Sequence, residues 1–523
     1  MRRPLLPAVA VGAALAAVLS AVSGPEDASA PLAAALKRAY EPPAGPGARW
    51  RRRPVVTLPD GREVPREDAY RDAPAFVPAA TRLLASRDRD DARLGAWLLG
   101  TAREPWRAAA GDALAPAVLR RDGSVAFEAV MALAALDGGS PRGRAALAEA
   151  ARRSAVPEVR SAAAWASGGS PAGVTPLAPG FRRGVSWWNE DGPAAGAASF
   201  RRLASLGVTW VSVHTWDPLQ KGLHGPVIAR PQAERHFGYR DLPGLVRDAH
   251  AAGLKVMVKP HLEMRPAYEP TEEERRIFRS GDEKARQALF RKLEARFGAS
   301  EHLEHNKVEM TNEADWRTWF ASYEAYVLPY AREARAAGAD AFCVGRELDT
   351  TVLRREADWR RVIAAVRREF PGPLTYSANF DTWEGLGFWD ALDFIGVSAY
   401  FPLAQEDDPS PAALDAGWDR ALAPLEAASR RWGRPVLLTE AGFPSVSSAA
   451  RAPWREERTP ADVWLQARCY DATLRALARR PWIEGAFFWL WERTSRPAFR
   501  DPSHAIVDKP AAFTMARWYT ARP

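Results

Sequence analysis

The sequence predicts an α/β protein: a (β/α)₈ TIM barrel preceded by an all-α domain of helical repeats. Two observations predict this architecture. Eight short apolar segments alternate with helical segments after residue 180, and three similar Ala- and Leu-rich segments recur before it at a spacing of roughly 33 to 34 residues. With 523 residues, the chain is long enough for a barrel of about 250 residues and a second domain.

The first 30 residues have the pattern of a secretory signal peptide. A basic start at residues 1–3 precedes an apolar stretch at residues 5–22, and the small residues at 28–30 are typical of a cleavage site. Because the apolar stretch is almost long enough to cross a bilayer, an uncleaved N-terminal anchor is the alternative. In both cases we expect an exported protein that is secreted, periplasmic or membrane-anchored facing outward.

Residues 31–63 are rich in Pro, Gly and Arg, which predicts a linker or a partly ordered arm. The formal net charge is +8, but acidic and basic residues alternate along most segments. Only residues 49–53 form a dense basic run, which we interpret as part of the solvated linker, so no nucleic-acid partner is predicted. Cys343 and Cys469 are too few for a disulfide framework or a structural zinc site, and we expect both to be buried and free.

Residues 64–170 are predicted to form the helical-repeat domain. Three segments that begin at Asp91, Val125 and Glu158 share a pattern of small and apolar residues. They resemble short HEAT-like repeats, which bury their cores by stacking. So few repeats favour a packing or docking cap, in contact with another protein or the cell envelope, over a large recognition surface.

Residues 180–500 are predicted to form the barrel. Its eight strands are expected at 184–188, 208–214, 255–261, 340–347, 374–379, 392–400, 435–440 and 484–489. Three of the helices are predicted to end at a glycine suited to a left-handed cap: Gly207, Gly253 and Gly338. A charged insertion is expected at about 263–315, above the third strand, and residues 501–523 are expected to be a C-terminal extension.

Two carboxylates stand at the ends of predicted strands. Glu347 follows the fourth strand and Glu440 ends the seventh, so both are expected to face the barrel mouth. Retaining cleavage of a glycosidic bond needs one carboxylic acid and one carboxylate about 5 to 5.5 Å apart. A salt bridge at a strand end would explain either residue alone, but the pair predicts a glycosidase.

Aromatic and histidine side chains are predicted at the same rim. The aromatic set suits stacking on sugar faces, although each ring alone could belong to the core: Trp187, Trp188, Trp210, Trp216, Tyr400, Trp489 and Trp491. His214 and His261 are expected either to bind sugar hydroxyls and orient the acid/base or to be structural. The sequence from Glu301 to His305 lacks zinc-site spacing and is interpreted as a solvated helix, so no metal and no cofactor are predicted.

With these residues in place, the region 180–495 resembles glycoside hydrolase family 113, in the retaining clan A of (β/α)₈ glycosidases. The phrases that carry the resemblance include Lys259-Pro-His261, Phe342-Cys-Val-Gly-Arg-Glu-Leu348, Thr439-Glu-Ala-Gly-Phe443 and Gly485-Ala-Phe-Phe-Trp489. The resemblance implies Glu347 as acid/base, Glu440 as nucleophile, Tyr400 as a hydrogen-bond donor to the nucleophile and Trp489 as the floor of the central sugar site. It also implies β-1,4-mannan or a related β-linked polysaccharide or oligosaccharide as substrate.

One residue departs from the clan pattern. Arg346 stands where many relatives have Asn, and a guanidinium beside an acid lowers its pKa. We therefore expect either that Arg346 points away, for example toward Asp349, or that the acid is tuned for low pH. Asn379 would then supply the amide that contacts the sugar. Two alternatives stay open: a catalytically inactive carbohydrate-binding barrel, and an exo-glycosidase or transglycosylase acting on an envelope glycan, in which the insertion closes one end of the cleft.

Overall fold

The structure, a computed structural model, describes residues 29–39, 55–57, 63–65, 74–169, 174, 176–188, 193–229, 242–265, 271–279, 285, 289, 292, 305–457, 459–492 and 497–521. The predicted signal segment lies outside these residues, except for its last two. None of the described helices is both long enough and apolar enough to cross a membrane.

Two small elements precede the helical domain. Helix α1 (Ser29–Ala39) packs on α2 (Phe76–Leu84), and strand β1 (Val55–Thr57) pairs antiparallel with β2 (Glu63–Pro65). Of the two alternatives predicted for residues 31–63, these elements fit a partly ordered arm. Helix α1 forms because three apolar side chains at helical spacing are buried in it: Leu32, Ala33 and Leu36.

Five further helices complete this domain: α3 (Arg89–Gly100), α4 (Arg107–Leu114), α5 (Gly123–Ala135), α6 (Pro141–Arg153) and α7 (Pro157–Ala166). Helices α3, α5 and α7 begin 34 residues apart, and each packs on the next. Arg89 of α3 pairs with Asp122, which also caps α5 by accepting a hydrogen bond from the Ser124 amide, so this ion pair joins the beginnings of α3 and α5. Their assignment as HEAT-like stays a prediction.

Eight parallel strands form a closed barrel, which confirms the predicted fold class. Their order around the barrel is their order in the chain: β3 (Arg182–Trp187), β4 (Trp210–Lys221), β5 (Lys255–Arg265), β6 (Ala341–Arg346), β7 (Leu374–Asn379), β8 (Ile395–Ser398), β9 (Val436–Ala441) and β10 (Ile483–Trp491). Strands β4 and β5 stay paired in parallel as far as Lys221 and Arg265, so this pair continues above the barrel toward the predicted insertion.

Within the described part of the barrel, nine helices accompany the strands: α8 (Pro193–Ser205), α9 (Leu242–Ala251), α10 (Glu272–Arg279), α11 (Glu313–Ala337), α12 (Asp349–Arg354), α13 (Glu356–Glu369), α14 (Pro411–Trp432), α15 (Val463–Ala478) and α16 (Pro510–Tyr519). The three predicted glycine caps are confirmed, because Gly207, Gly253 and Gly338 have φ of 81°, 80° and 76°. Each such cap turns the chain from a helix into the next strand.

Helix α16 corrects the predicted C-terminal extension at 501–523. It is the eighth barrel helix, since the Tyr519 hydroxyl donates to the Gly184 carbonyl of β3 at 3.2 Å and Arg183 donates to the Tyr519 carbonyl. The barrel domain therefore continues to about residue 521, beyond its predicted end at 500. The short apolar run of α16 was too brief to be recognised as a barrel element.

The bottom of the barrel is closed by an apolar cluster at the beginnings of the strands. Its members are Trp210, Met257, Ala341, Phe394, Leu437 and Phe487. Trp210 begins β4 and meets Phe487 edge to face at 6.3 Å between ring centroids. The expectation that Trp210 lies at the sugar-binding rim is therefore wrong, and the open mouth is at the carboxyl ends of the strands.

The helical domain packs on α15, α16 and the loop that joins β10 to α16. Phe127 of α5 contacts Trp464 and Phe513 at centroid distances of 6.0 and 5.6 Å, and the Arg93 guanidinium lies 4.4 Å from the Phe499 ring centroid. Since the β10–α16 loop belongs to the mouth of the barrel, the helical domain supports one side of that mouth.

Glu128, buried beside Arg93 in this contact, predicts a pH-dependent stability. Burial raises its pKa from 4.5 to about 7, against the opposing charge and hydrogen bond of Arg93. Because the folded state then binds more protons than the unfolded state between about pH 4.5 and 7, the free energy of unfolding should fall across that window, by about 3 kcal/mol.

We expect Glu128→Gln to remove most of this fall when urea unfolding is measured at several pH values between 4.5 and 7. Glu149→Gln, on the exposed face of α6, should keep it; parallel curves for the wild type and Glu128→Gln would contradict the prediction.

Candidate active site

The acid end of the site is built where β6 gives way to α12. Gly345 leaves room for three aromatic side chains, because a Cβ there would lie 2.8 to 2.9 Å from atoms of Trp359, Tyr323 and Tyr376. The next two residues, Arg346 and Glu347, then enter the barrel mouth. The small residue in the strand therefore lets the outer helices pack closely behind the site.

Glu347 has a backbone conformation that is uncommon for a residue other than glycine, with φ of 49°. Its amide donates to the Ser377 carbonyl of β7 at 2.8 Å, which holds the turn in place. Such a conformation costs on the order of 1 to 3 kcal/mol and persists where the surrounding structure enforces it, often at functional sites. The turn directs a buried carboxyl group into the mouth of the barrel.

The electrostatic surroundings of Glu347 favour its ionised form. Burial alone would raise the pKa of Glu347, but the Arg346 charge and hydrogen bonds from His305 and Ser398 outweigh it and hold this pKa well below its usual range. The Arg346 Nη2 and the His305 Nε2 lie 3.0 and 3.3 Å from Oε2 of Glu347. Arg346 and His305 therefore favour the carboxylate form of Glu347 over the protonated acid.

Glu440, the last but one residue of β9, is fully buried and accepts hydrogen bonds from three side chains. Lys259 Nζ lies 2.5 Å and Arg346 Nε 3.2 Å from its Oε1, and the Tyr400 hydroxyl donates to its Oε2 at 2.8 Å. The contact between Tyr400 and Glu440 is the one that the family resemblance implies. Two cations and a phenol stabilise the negative charge and fix the orientation of this carboxylate.

Arg346 bridges the two carboxylates, contrary to the expectation that it points away. Its Nε contacts Glu440 and its Nη2 contacts Glu347, and both nitrogens belong to one rigid guanidinium, so the two carboxyl groups lie close together across a single cation. Asp349, the partner expected for Arg346, instead accepts hydrogen bonds from the Asn379 amide at 2.9 Å and the Thr382 hydroxyl at 3.0 Å. Asn379 therefore donates one hydrogen bond to Asp349, and its contact with the sugar stays a prediction.

His214 and His261 form a pair beside Trp489 on the other side of the mouth. His214 Nδ1 lies 2.8 Å from His261 Nε2, and the His261 ring lies nearly parallel to the Trp489 ring, with an interplanar angle of 10°. Burial first, and then the neighbouring cations Lys259 and Arg346, lower the pKa of both histidines well below 6.5. The pair is therefore neutral, and it holds the partly exposed Trp489 ring in place at the rim.

The remaining predicted aromatic residues divide into three groups. Trp187 and Trp491 are only 2% exposed, and both donate from Nε1 to Ser199 of α8, so their prediction as sugar contacts is corrected: they pack between the barrel and α8. Trp188 is half-buried next to them, with its amide donating to the Trp491 carbonyl. The Trp216 side chain lies outside the described part of the chain.

Two side chains that contact the carboxylates are not predicted from the sequence. Lys259 precedes His261 by two residues in the same strand, so both point to the same side; a lone lysine in an apolar strand was the available signal. His305 had been interpreted as part of a solvated helix, but it lies in a short 3₁₀ turn, His305–Lys307, that reaches the site. His305 and Glu347 are 42 residues apart in the sequence, so no local pattern indicates that they meet.

The assembled site can support acid–base and nucleophilic chemistry on a sugar. One buried carboxylate is oriented by three donors, and a second stands nearby with a histidine on one of its oxygens. A partly exposed tryptophan provides an apolar face next to them. Two carboxylates flanking one position are the arrangement that glycoside hydrolysis requires.

Comparison with known proteins agrees with this chemistry. Residues 298–509 match the sequence model of Glycoside Hydrolase Family 113. Two solved structures of a family 113 β-1,4-mannanase, one of them a complex, are similar at 24% and 25% identity with TM-scores of 0.51 and 0.50; each match covers 65% of this chain and 99% of the other. A family 113 β-mannanase from Alicyclobacillus acidocaldarius is similar at 28% identity and a TM-score of 0.49, over 65% of this chain and 97% of that one. No curated protein sequence matches the chain.

The matched region contains β6 to β10, and so both carboxylates at the barrel mouth. The structural matches span nearly the whole length of the mannanases, so the similarity covers a complete barrel. The part of the barrel that holds both carboxylates is therefore similar to Glycoside Hydrolase Family 113.

Proposed function

We propose that the protein hydrolyses β-1,4-linked mannan or manno-oligosaccharides with retention of anomeric configuration, by double displacement. Glu440 attacks the anomeric carbon, and Glu347 protonates the leaving oxygen and then activates the water that releases the sugar. The observation that carries the proposal is the pair of buried carboxylates at the ends of β6 and β9, held within reach of one guanidinium. The mannan substrate rests on the similarity to β-1,4-mannanases.

The roles of the two carboxylates follow from their surroundings. Lys259, Arg346 and Tyr400 each donate a hydrogen bond to Glu440 and so favour its ionised form. Glu440 therefore suits the nucleophile, which must be ionised. Glu347 touches a histidine that can exchange a proton with it, so it suits the group that must gain and lose a proton in each cycle. Trp489 lies beside the histidine pair as a platform for a sugar ring.

A panel of β-glycans tests the proposal. We expect release of reducing sugar from β-1,4-mannan or its oligosaccharides, with little release from β-1,4-glucan and β-1,4-xylan. Proton NMR of the first product should show the β-anomer before mutarotation, whereas an initial α-anomer would contradict retention. Activity on another β-glycan alone would keep the mechanism but overturn the substrate.

A carbohydrate-binding barrel without turnover is the second candidate, because Arg346 occupies the space between the two carboxylates. Saturable binding of manno-oligosaccharides without any product, at every pH from 4 to 8, would support this alternative. Turnover that disappears in Glu440 variants would exclude it.

We also propose that the chain is exported, from the signal-like pattern of its first 30 residues. Fractionation of cells that produce the full chain should recover it outside the cytoplasm. Removal of residues 1–28 should leave it in the cytoplasm, and equal distribution of both forms would contradict export.

Replacement of Arg346 predicts a shift in the pH profile. Since the Arg346 charge contributes to the lowered pKa of Glu347, Arg346→Gln should raise that pKa, and Glu347 should stay protonated as the general acid up to a higher pH. We expect the alkaline limb of kcat/KM against pH, measured with manno-oligosaccharide, to move to higher pH. Arg354→Gln, which removes an exposed guanidinium paired with Glu309, should leave the limb in place. An unchanged limb in Arg346→Gln would contradict the electrostatic argument.

A further inference from the structure

His305 is brought to the site by the end of the insertion between β5 and α11. The 3₁₀ turn His305–Lys307 is anchored to α12, because the Thr350 hydroxyl donates to the Asn306 carbonyl at 3.1 Å. Just beyond it, the Glu309 amide donates to the Leu223 carbonyl at 3.1 Å, next to the end of β4. Contacts on both sides therefore fix the turn above Glu347, so the meeting of His305 and Glu347 is a built feature of the fold.

The imidazole of His305 has two neighbours at a single nitrogen. Its Nε2 lies 3.3 Å from Glu347 Oε2 and 3.1 Å from Arg346 Nη1. A guanidinium always donates, so Nε2 accepts from Arg346 when it carries no proton, and donates to Glu347 when it carries one. One nitrogen cannot do both, and each protonation state of His305 therefore favours a different partner.

This alternation addresses a difficulty in the proposed mechanism. A general acid must carry a proton when the leaving group departs, but Arg346 favours the ionised form of Glu347. Glu347 is also less accessible than its neighbour, since its side chain is 8% exposed and that of His305 is 18% exposed. The histidine is thus the more accessible of the two to water.

We propose that His305 relays the catalytic proton between solvent and Glu347. Before the first step, the proton on Nε2 passes to the Glu347 carboxylate, and His305 becomes neutral and accepts from Arg346. Glu347 then gives that proton to the leaving oxygen as Glu440 forms the bond to the anomeric carbon. In the second step Glu347 takes a proton from the attacking water and returns it to Nε2, so the protons balance over the cycle.

The charged and titratable groups around His305 fit this role. Arg346 and Glu347 face it from the end of β6, and the neutral His261 faces it from β5. Asp349, which begins the neighbouring helix α12, is engaged by Asn379 and Thr382. His305 acts through Glu347 and not on the sugar, so it is a positioning residue, and the inference rests on the proposed function.

The test uses a series of aryl β-mannosides whose leaving groups range from strongly to weakly acidic phenols. Good leaving groups depart without protonation, so only poor ones need the relay. We expect His305→Gln to lower kcat/KM by roughly ten-fold or more for weakly acidic phenols and for manno-oligosaccharides, and to change it little for dinitrophenyl mannoside. His224→Gln, which removes an exposed histidine that contacts the Glu309 carbonyl, should match the wild type throughout.

A second variant guards against a structural explanation. In His305→Ala, imidazole buffer, which contains both imidazole and imidazolium, should restore hydrolysis of the mannosides with poor leaving groups. The restored rate should rise in proportion to the buffer concentration. An equal loss across all leaving groups, or no loss, would overturn the relay while leaving the proposed function intact. If the wild type hydrolyses none of the mannosides, the proposed function fails and the relay fails with it.

Discussion

Glu440→Ala is expected to lower hydrolysis of β-mannosides by roughly 10⁴-fold or more, because it removes the carboxylate that attacks the anomeric carbon. The same change leaves Lys259, Arg346 and Tyr400 around an empty position, where the two cations share only the Glu347 carboxylate, which Arg346 contacts. The measurement is kcat/KM on dinitrophenyl β-mannoside, whose leaving group needs no acid. A large loss there locates the defect in the nucleophile and not in proton donation.

Azide extends this test, because a small anion suits the cationic position that the missing carboxylate leaves. Added azide should attack the anomeric carbon of the activated mannoside from the side of Glu440 and give α-mannosyl azide, with inverted configuration. Glu426→Ala, which removes an exposed carboxylate paired with Arg430 on α14, serves as the control and should behave as the wild type. More than a tenth of wild-type turnover in Glu440→Ala, or no azide product, would reject Glu440 as nucleophile.

The strands could be predicted because each one has a local signal in the sequence. Short apolar runs follow helices that end at glycine, and the left-handed φ of Gly207, Gly253 and Gly338 is a property of the residue as much as of the fold. Parallel strands in a barrel expose the residues at their carboxyl ends to a common mouth. For that reason Glu347 and Glu440 could be placed near each other without any knowledge of contacts.

The partners of these carboxylates could not be predicted, because they depend on the directions of long side chains. A guanidinium beside an acid lowers the pKa of that acid, and this effect alone predicts that Arg346 turns away from Glu347. In the structure Arg346 stays in the mouth because Glu440 is a second buried carboxylate with which it pairs. A buried network of two anions and two cations is satisfied as a whole, and no single strand reveals it.

The direction in which the tryptophan side chains point could not be predicted either. Trp187, Trp489 and Trp491 stand near the ends of two neighbouring strands, and their residue type alone does not say which side of the barrel wall they face. Ser199 of α8 binds the indole nitrogens of Trp187 and Trp491 and so draws both rings outward, while the histidine pair keeps Trp489 at the mouth. Contacts with a helix elsewhere in the chain therefore separated core tryptophans from a candidate sugar platform.

Glu347→Ala is expected to produce a different pattern, because this variant retains the nucleophile and loses the proton donor. For manno-oligosaccharides and weakly acidic phenols, kcat/KM should fall by about 10² to 10⁴-fold. For dinitrophenyl β-mannoside the first step should survive, and the glycosyl-enzyme should accumulate because no base activates water for the second step. A burst of dinitrophenol followed by slow turnover, with a lowered KM, is the expected signature.

The two azide products together decide which carboxylate has which role. In Glu347→Ala, azide enters where the water should attack and intercepts the intermediate, so the product should be β-mannosyl azide, with net retention. In Glu440→Ala the product should be the α-anomer, since only one displacement occurs. The opposite pairing of products would exchange the two roles, and would mean that the carboxylate held by Lys259 and Tyr400 is the proton donor, despite two donors that stabilise its charge. Loss of azide rescue in both variants would remove the covalent intermediate, and with it the double-displacement mechanism.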